Sequence, residues 1–429
     1  MQTILLAAGQ SSRMDPISDK NLLPFCGKAL IKNQVNALKN VGFEQVVIVT
    51  NKANSETIRQ LFKKDPDIQI VEQRGQGQQA GVLSGAEKIT GEQVLILCTN
   101  DVFDPQLFTD LQHNAQAGTD GVIAGKQVNE YFPGGYLSVD ANDYLTGIVE
   151  KPGEGNEPSN LVNLVCHFYN HFSDFVIQLQ SATSPQDDLY EVALDNYLKQ
   201  GAKIKAHRYQ GPWQAIKYPW YILDMMSHFL STQTPSIHPS AEIANTAVIR
   251  GNVVIEAGVK VFDHAVVQGP AYIGKNSIIA NNALVRNSMM GEGSVAGYNT
   301  EIARSYLGNN VWTHSNYVGD SVIDSNVSFG AGAITGNLRH DEQAIKMTVK
   351  GERLNTKRNK LGAIIGSGSR IGINASTNPG VKIGRNCFVG GGVLVHRDLE
   401  DGQKLTLKQD LHKESHFEQV DTTKRGKVA

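Results

Sequence analysis

The sequence predicts two units of different class, an N-terminal α/β unit built on a doubly wound parallel sheet and a C-terminal parallel β-helix. Two observations carry this. Over the first half, short apolar runs alternate with helix-like segments, the signature of a parallel sheet covered on both faces. In the second half, every sixth residue from position 237 reads Ile237, Ile243, Ile249, Ile255, Val261, Val267, Ile273, Ile279, Val285, nine β-branched aliphatics in a row. Neither the 3.6-residue period of a helix nor the two-residue period of a half-buried strand produces that spacing. A hexapeptide repeat does, because one short strand and one bend per six residues let triangular coils stack their aliphatics inside. The period returns at Ile365, Ile371, Thr377, Ile383, Val389 and Val395.

Taken in order, residues 2–8 form a buried strand ending at Gly9, followed by a polar loop to Lys20. Leu30, Gln34 and Leu38 share a helix face. Gln45–Thr50 reads as a second buried strand, Ile58–Phe62 as a helix, Ile68–Val71 as a third strand and Gln78–Ile89 as a helix. Val94–Cys98 is a fourth strand, running into Thr99-Asn100-Asp101. In such sheets ligands sit beyond the carboxyl ends of the strands, where Gly9–Arg13 and Asp101 both fall. The pattern is less regular after residue 120, with strands at 134–139, 147–152, 163–169 and 204–209, a helix over 187–200, and a closing helix within Trp213–Leu230. Residues 231–236 (STQTPS) are the natural linker. The β-helix occupies 237–400, with its period broken between about 286 and 364 and a polar, cationic insertion at 338–360. A charged, poorly ordered tail covers 401–429.

Composition narrows the function. A length of 429 residues allows two cores, and 40% hydrophobic with 19% charged residues fits an ordinary soluble protein. The formal net charge of −2 gives no reason to expect nucleic acid or a membrane as partner, so any phosphate site must be local. Cys26, Cys98, Cys166 and Cys387 are scattered, without the spacing of a zinc site or a disulfide framework. Met1 leads directly into an apolar strand, and no apolar run approaches the ~18 residues a membrane span needs; a cytoplasmic location is expected.

A strand followed by a Gly/Ser-rich turn and an arginine suits a polyphosphate. Backbone N–H groups converge there, and Arg13 can clamp oxygens in bidentate fashion. A loop that merely caps a helix is the alternative. Further on, Lys20 with Leu22-Leu23-Pro24, Gly27-Lys28, Gly77-Gln78, Asp101, Gly134-Gly135-Tyr136, Glu150-Lys151 and Asn163 occur in the order seen in sugar-1-phosphate nucleotidylyltransferases. Residues 1–230 resemble that family, and Leu6–Met14 resembles its LAAGxxxRM signature. The resemblance implies a Rossmann-like nucleotidyltransferase domain over 1–230. Leu6, Ala8, Gly9, Ser11 and Ser12 would bind the nucleotide with Gly77 and Gln78 against the base; Arg13 and Lys20 would be catalytic, stabilising charge as the α-phosphate is attacked. Asp101 would bind Mg²⁺, Gly135, Glu150 and Asn163 would hold the sugar, and Lys151 would approach its phosphate. Two departures stand out. Asn100 occupies the place of a usual glycine. The segment that supplies the family's second metal ligand reads WQAIKYP (213–219), with Ala215 and Lys217. Either Lys217 takes part of the cation's role, or another carboxylate supplies the ligand, or the site is weakened.

In the repeat half, His314-xx-Tyr317-x-Gly319-Asp320 followed by GAGAITGN (330–337) resembles the acetyltransferase site of the bifunctional N-acetylglucosamine-1-phosphate uridylyltransferase/glucosamine-1-phosphate acetyltransferase family. NLRHDE…KLGAIIGS (337–367) resembles its archaeal-type variant. This resemblance implies a left-handed β-helix acyltransferase domain and a homotrimer. His314 would be the general base that takes a proton from an amino sugar attacking acetyl-CoA, a task imidazole suits because its pKa lies near the working pH. Tyr317 would contact the sugar phosphate, Asn337 would orient substrate or the histidine, and Arg304 lies near the family's phosphate-binding lysine. Ser328 stands where the family tends to have asparagine. Lys346, Lys350, Arg353 and Lys357 either meet coenzyme A phosphates or form a solvated loop. The expected function is bifunctional: acetyl transfer to a hexosamine 1-phosphate, then nucleotidyl transfer from an NTP, UTP by preference, with release of pyrophosphate. The alternatives are a nucleotidylyltransferase whose β-helix serves assembly, an acetyltransferase with a decayed nucleotidyl site, and a non-catalytic scaffold.

Overall fold

The computed structural model describes residues 1–115 and 118–415. The N-terminal half is organised on a nine-stranded mixed sheet. Strands β1 (Gln2–Leu6), β2 (Gln45–Thr50), β3 (Ile68–Glu72) and β4 (Val94–Cys98) are parallel, in the order β3-β2-β1-β4. The strand order reverses beside β1, which opens a crevice at the carboxyl ends of β1 and β4. Helix α1 (Leu30–Asn40) buries Leu30, Ile31, Gln34, Val35 and Leu38, a period that matches one helix face. After α2 (Ser55–Phe62), α3 (Gly77–Ala86) lies against β1 and β2. A side chain at Gly85 would meet Ile4 Cγ2 at 2.8 Å, so glycine there permits the close approach.

The irregular middle resolves into β5 (Asp101–Phe103), α4 (Gln106–Asn114), β6 (Gly121–Gln127), β7 (Gly135–Val139), β8 (Leu145–Glu150) and β9 (Leu161–Tyr169). Strand β9 runs antiparallel between β4, β6 and β7. Helices α5 (Phe172–Ser181) and α6 (Leu189–Lys199) and strand β10 (Ile204–Arg208) complete the layer. The segment expected to carry the closing helix, Trp213–Leu230, also holds a short strand. Trp213–Ala215 forms β11, antiparallel to β5, and α7 (Tyr221–Ser231) begins only after Pro219. Pro219 and the pairing of β11 with β5 explain the late start.

From Ser236 onward three parallel sheets form the faces of a triangular solenoid. The inward row, including Ile255, Val261, Val267, Ile273, Ile279 and Val285, is buried as one continuous core. Corners use asparagines in the left-handed region, such as Asn276 (φ 55) and Asn310 (φ 55). The sequence break between 286 and 364 is not a break in the coil. Val254 pairs with Tyr272 eighteen residues on, Tyr272 with Met289 seventeen, Tyr306 with Val322 sixteen, and Val322 with Ile364 forty-two. Corners are shortened by one or two residues, and then a long loop is inserted without disturbing the stack. That loop carries an antiparallel hairpin, Lys346–Val349 with Glu352–Asn355. The solenoid also runs past residue 400: Lys404–Leu405 pairs with Phe388–Val389, so the start of the expected tail is ordered as a further rung. Residues 416–429 of that tail lie outside the described residues.

The two halves share a core. The outward row Val254, Tyr272, Met289, Tyr306, Val322 and Ile364 packs on Phe25, Leu30, Ile216 and the apolar side of α7. Tyr306 donates its hydroxyl to the Pro24 carbonyl at 3.0 Å, and Asp15 lies 3.7 Å from Lys382 and 3.6 Å from Arg385. Among the described residues no helix is long and apolar enough to cross a membrane.

Candidate active sites

The loop after β1 is fixed by side chains from distant parts of the chain. Asn21 and Asn54 both donate to the Ala7 carbonyl, at 3.1 and 2.9 Å, and Asn51 donates to that of Ala8 at 3.1 Å. Asp19 accepts from the amides of Asn21 and Asn54, each at 2.8 Å. Sequence reasoning missed this support; the polar cluster Asp19-Lys20-Asn21 was its one local sign. The held loop opens onto a cleft of about 570 Å³ lined by Leu6, Ala8, Gly9, Arg13, Lys20, Gly77 and Gln78. The structure thus gathers most of the expected nucleotide set. Ser11 sits at φ 52, with its hydroxyl 3.4 Å from the Lys20 N–H; Ser12 is exposed. Gln78 Nε2 is buried and has no hydrogen-bond partner among the described residues.

A second recess of about 170 Å³ continues from the first, sharing Arg13 and Gln78, and brings together Asp101, Gly135, Glu150, Lys151, Asn163 and Lys217. Any side chain at Gly135 would meet Glu150 Oε2 at 3.1 Å and Asn163 Cβ at 3.4 Å. Asn163 is set by the buried His167, whose Nε2 lies 2.9 Å from Asn163 Oδ1 while Nδ1 lies 2.6 Å from the Tyr190 hydroxyl. Burial pushes the His167 pKa down to about 3. Glu191, also in the recess, is pushed up to about 7 by burial and by neighbouring Glu150. Neither His167 nor Glu191 was legible as a site residue, because both arrive from the apolar side of the sheet or from α6.

Asp101 is 8% exposed. Its oxygens accept from Trp213 Nε1 at 2.9 Å and Asn100 Nδ2 at 3.0 Å, so the unexpected Asn100 is engaged in orienting the carboxylate. Burial raises the Asp101 pKa; the Trp213 hydrogen bond, then Lys217 and Lys20, oppose the rise. Burial also lowers Lys20, and it pushes Lys217 down to about 8 against the attraction of Asp101. Among the described residues no group of three His, Cys, Asp or Glu side chains is placed to hold a metal ion. One carboxylate fits a Mg²⁺ ion only together with phosphate oxygens of a substrate.

In the solenoid, Arg304 clamps Asp320 through Nε at 2.6 Å and Nη2 at 2.7 Å. Asn337 Nδ2 donates to the Tyr317 hydroxyl at 3.0 Å and to Asp320 at 2.5 Å. Bonding to Asp320 raises the Arg304 pKa further. Arg304, Tyr317 and Asn337 are therefore one network, with Asp320 as its hub. His314 is not joined to it. It precedes the strand Tyr317–Gly319, whereas Asp320 follows that strand; its backbone N–H is bonded to Asn316 and its imidazole is exposed without a hydrogen-bond partner among the described residues. Above the network along the same corner is a groove of about 690 Å³ lined by Arg339, Lys346, Arg353, His396 and Arg397. Of the four cations expected together, Lys346 and Arg353 reach this groove, whereas Lys357 pairs with Glu130 of the N-terminal half.

The fold and the two clusters define a class: a nucleotidyltransferase fused to a hexapeptide-repeat transferase. Family models agree, the MobA-like NTP transferase domain over residues 3–158, the GMPPB C-terminal domain over 232–323 and the six-repeat bacterial transferase hexapeptide over 362–397. The chain is 32% identical to the bifunctional sugar-1-phosphate nucleotidylyltransferase/acetyltransferase of Sulfurisphaera tokodaii, over 89% of this chain and 94% of the relative. It is 30% identical to the bifunctional protein GlmU of Methanococcus maripaludis, over 96% and 98%, and 29% identical to that of Methanocaldococcus jannaschii, over 93% and 96%. This chain belongs to the family of bifunctional sugar-1-phosphate nucleotidylyltransferase/acetyltransferases.

Proposed function

We propose that the chain makes a UDP-N-acetylamino sugar in two steps: acetyl transfer from acetyl-CoA to a hexosamine 1-phosphate, then nucleotidyl transfer from UTP to the product. The observation that carries the second step is the continuity of the two N-terminal recesses, with Arg13 and Gln78 lining both. The triphosphate lies in the larger recess along Leu6, Ala8, Gly9, Ser11 and Ser12, with Gly77 against the base and the unpartnered Gln78 amide donating to a base oxygen. The sugar lies in the smaller one against Gly135, Glu150 and Asn163, with Lys151 near its phosphate. Its phosphate oxygen attacks the α-phosphorus, the bond to the β-phosphate oxygen breaks, and pyrophosphate leaves. Arg13 and Lys20 offset the charge gathering on the α-phosphate. Asp101 would hold Mg²⁺ jointly with the nucleotide's phosphate oxygens, and the ion when bound offsets their charge.

For acetyl transfer, His314 takes the proton of the amine as it attacks the thioester carbonyl; coenzyme A leaves as the thiol. Tyr317, Asn337 and Arg304 bind the sugar phosphate, and Lys346 and Arg353 in the basic groove meet the coenzyme's phosphates. That the His314 imidazole makes no hydrogen bond to Tyr317 or Asn337 among the described residues supports a site completed between subunits. Exposed Trp312 (54%) and Tyr298 (56%) near His314 offer apolar surface for a homotrimer. Residues 1–230 and the solenoid from 237, which continues past 400 through Lys404–Leu405, are the two catalytic units, joined by 231–236. The test is direct: purified protein with Mg²⁺, UTP and N-acetylglucosamine 1-phosphate releases pyrophosphate, and with acetyl-CoA and glucosamine 1-phosphate it releases free thiol. Absence of either product removes the corresponding half of this reading.

A further inference from the structure

We propose that Lys217 stands in place of a second protein ligand for the metal, as a fixed cation in the same recess as Asp101, so that the nucleotidyl site takes up a divalent ion only with a nucleotide. This rests on the nucleotidyl-transfer reading given above. Three observations place Lys217 there. In the antiparallel pair of β11 with β5, Ala215 lies directly opposite Asp101, and the Ile216 N–H donates to the Asn100 carbonyl at 3.0 Å. The backbone that continues to Lys217 is thus hydrogen-bonded beside the carboxylate. Lys217 lines the same recess as Arg13, Asp101, Glu150 and Asn163. Its ammonium is also anchored from the far side. Nζ donates to the Pro133 carbonyl at 3.1 Å and rides 3.6 Å from the centre of the Phe132 ring.

Such a built-in ammonium changes what the site can bind. Without nucleotide, the charges of Lys217 and Lys20 act on Asp101, and with Arg13 in the same recess they oppose its attraction for a divalent ion. A nucleotide brings enough negative charge to reverse that balance. The same ammonium then lies at the junction of the nucleotide and sugar recesses, where the sugar phosphate and the α-phosphate must approach each other. It offsets their repulsion without needing a second ligand. Glu150 and Lys151 line the same recess and pair with each other at 2.7 Å, so the Pro133 carbonyl and the Phe132 ring fix the ammonium while Asp101 is the acidic charge that acts on it most.

Two readouts test this on the full-length protein. In Mn²⁺ titrations followed by electron paramagnetic resonance, the nucleotide-free wild type leaves the free-ion signal unchanged, whereas Lys217→Asp binds one equivalent that Asp101→Asn then removes. In pyrophosphate release, Lys217→Met keeps the stem over Phe132 but lacks the charge, and its kcat falls about 100-fold, the loss typical of one preorganised donor; Lys217→Arg recovers part of it. Stoichiometric Mn²⁺ binding by the nucleotide-free wild type, or full turnover by Lys217→Met, overturns the assignment of Lys217. No pyrophosphate from the wild type with any NTP overturns the functional reading itself, independently of the Mn²⁺ result.

Discussion

At the scale of single residues, the informative side chains are those whose environment differs from their chemistry's preference. His167 is fully buried and neutral, held between Asn163 and Tyr190. Its folded pKa of about 3 lies below the ordinary value of 6.5, so the unfolded chain binds a proton that the folded chain refuses. Its contribution to stability is complete above about 6.5 and is lost progressively as pH falls toward 3. His167→Gln should flatten that acid limb in thermal melts and, by freeing Asn163, raise the KM for sugar phosphate; an unchanged limb would remove the linkage. His314 is the opposite case, exposed and unpartnered in the solenoid. His314→Ala should abolish thiol release from acetyl-CoA while pyrophosphate release continues. Candidate site residues carried by a contiguous motif, such as Gly9–Arg13 or His314-xx-Tyr317, can be singled out in the sequence because local order marks them. Asp19, Asn54, His167 and Glu191 cannot, because they reach their partners across the sheet or from another helix.

At the scale of elements, the hexapeptide period identified the solenoid because each inward aliphatic recurs at a fixed step. The same period failed wherever a corner lost one residue, although the coil itself continues through Met290, Leu307 and Ile323. Counting sixes cannot follow a seventeen- or sixteen-residue coil. Strand β5 and its partner β11 were also missed: three residues each are too short for periodicity to register, and only their pairing makes them strands. The hairpin at 346–355 shows what the inserted loop contributes. It turns Lys346 and Arg353 toward the groove at Asn378–Val381 and His396–Asp398. Changing each to Glu should raise the KM for acetyl-CoA about tenfold, as expected for a lost charge-assisted contact of about 1.5 kcal/mol. Nucleotidyl kinetics should be unaffected. Equal damage to both activities would mean that the hairpin serves the fold rather than the coenzyme.

At the scale of the whole molecule, the chain is two catalytic units sharing one buried seam. Phe25 is fully buried within it, its ring 5.2 Å from that of Phe229 on α7 and 5.6 Å from that of Tyr306 on the solenoid. The seam follows the loop between Arg13 and α1, so the segment carrying Lys20 is fixed partly by the β-helix. Two units could be read from composition and period, but the seam could not, because outward apolar residues such as Tyr272 and Met289 fall outside the hexapeptide rule. Phe25→Ala should cost about 3–5 kcal/mol and split a joint thermal transition into two. A single lowered transition would instead mean that the halves unfold together even without this contact.

Two separate sites on one chain perform two different transfers. The most direct test assays pyrophosphate and thiol release side by side in Arg13→Ala and His314→Ala. A crossover is expected, with Arg13→Ala losing pyrophosphate release and keeping acetyl transfer, and His314→Ala doing the reverse. Loss of both activities in either folded variant would contradict it.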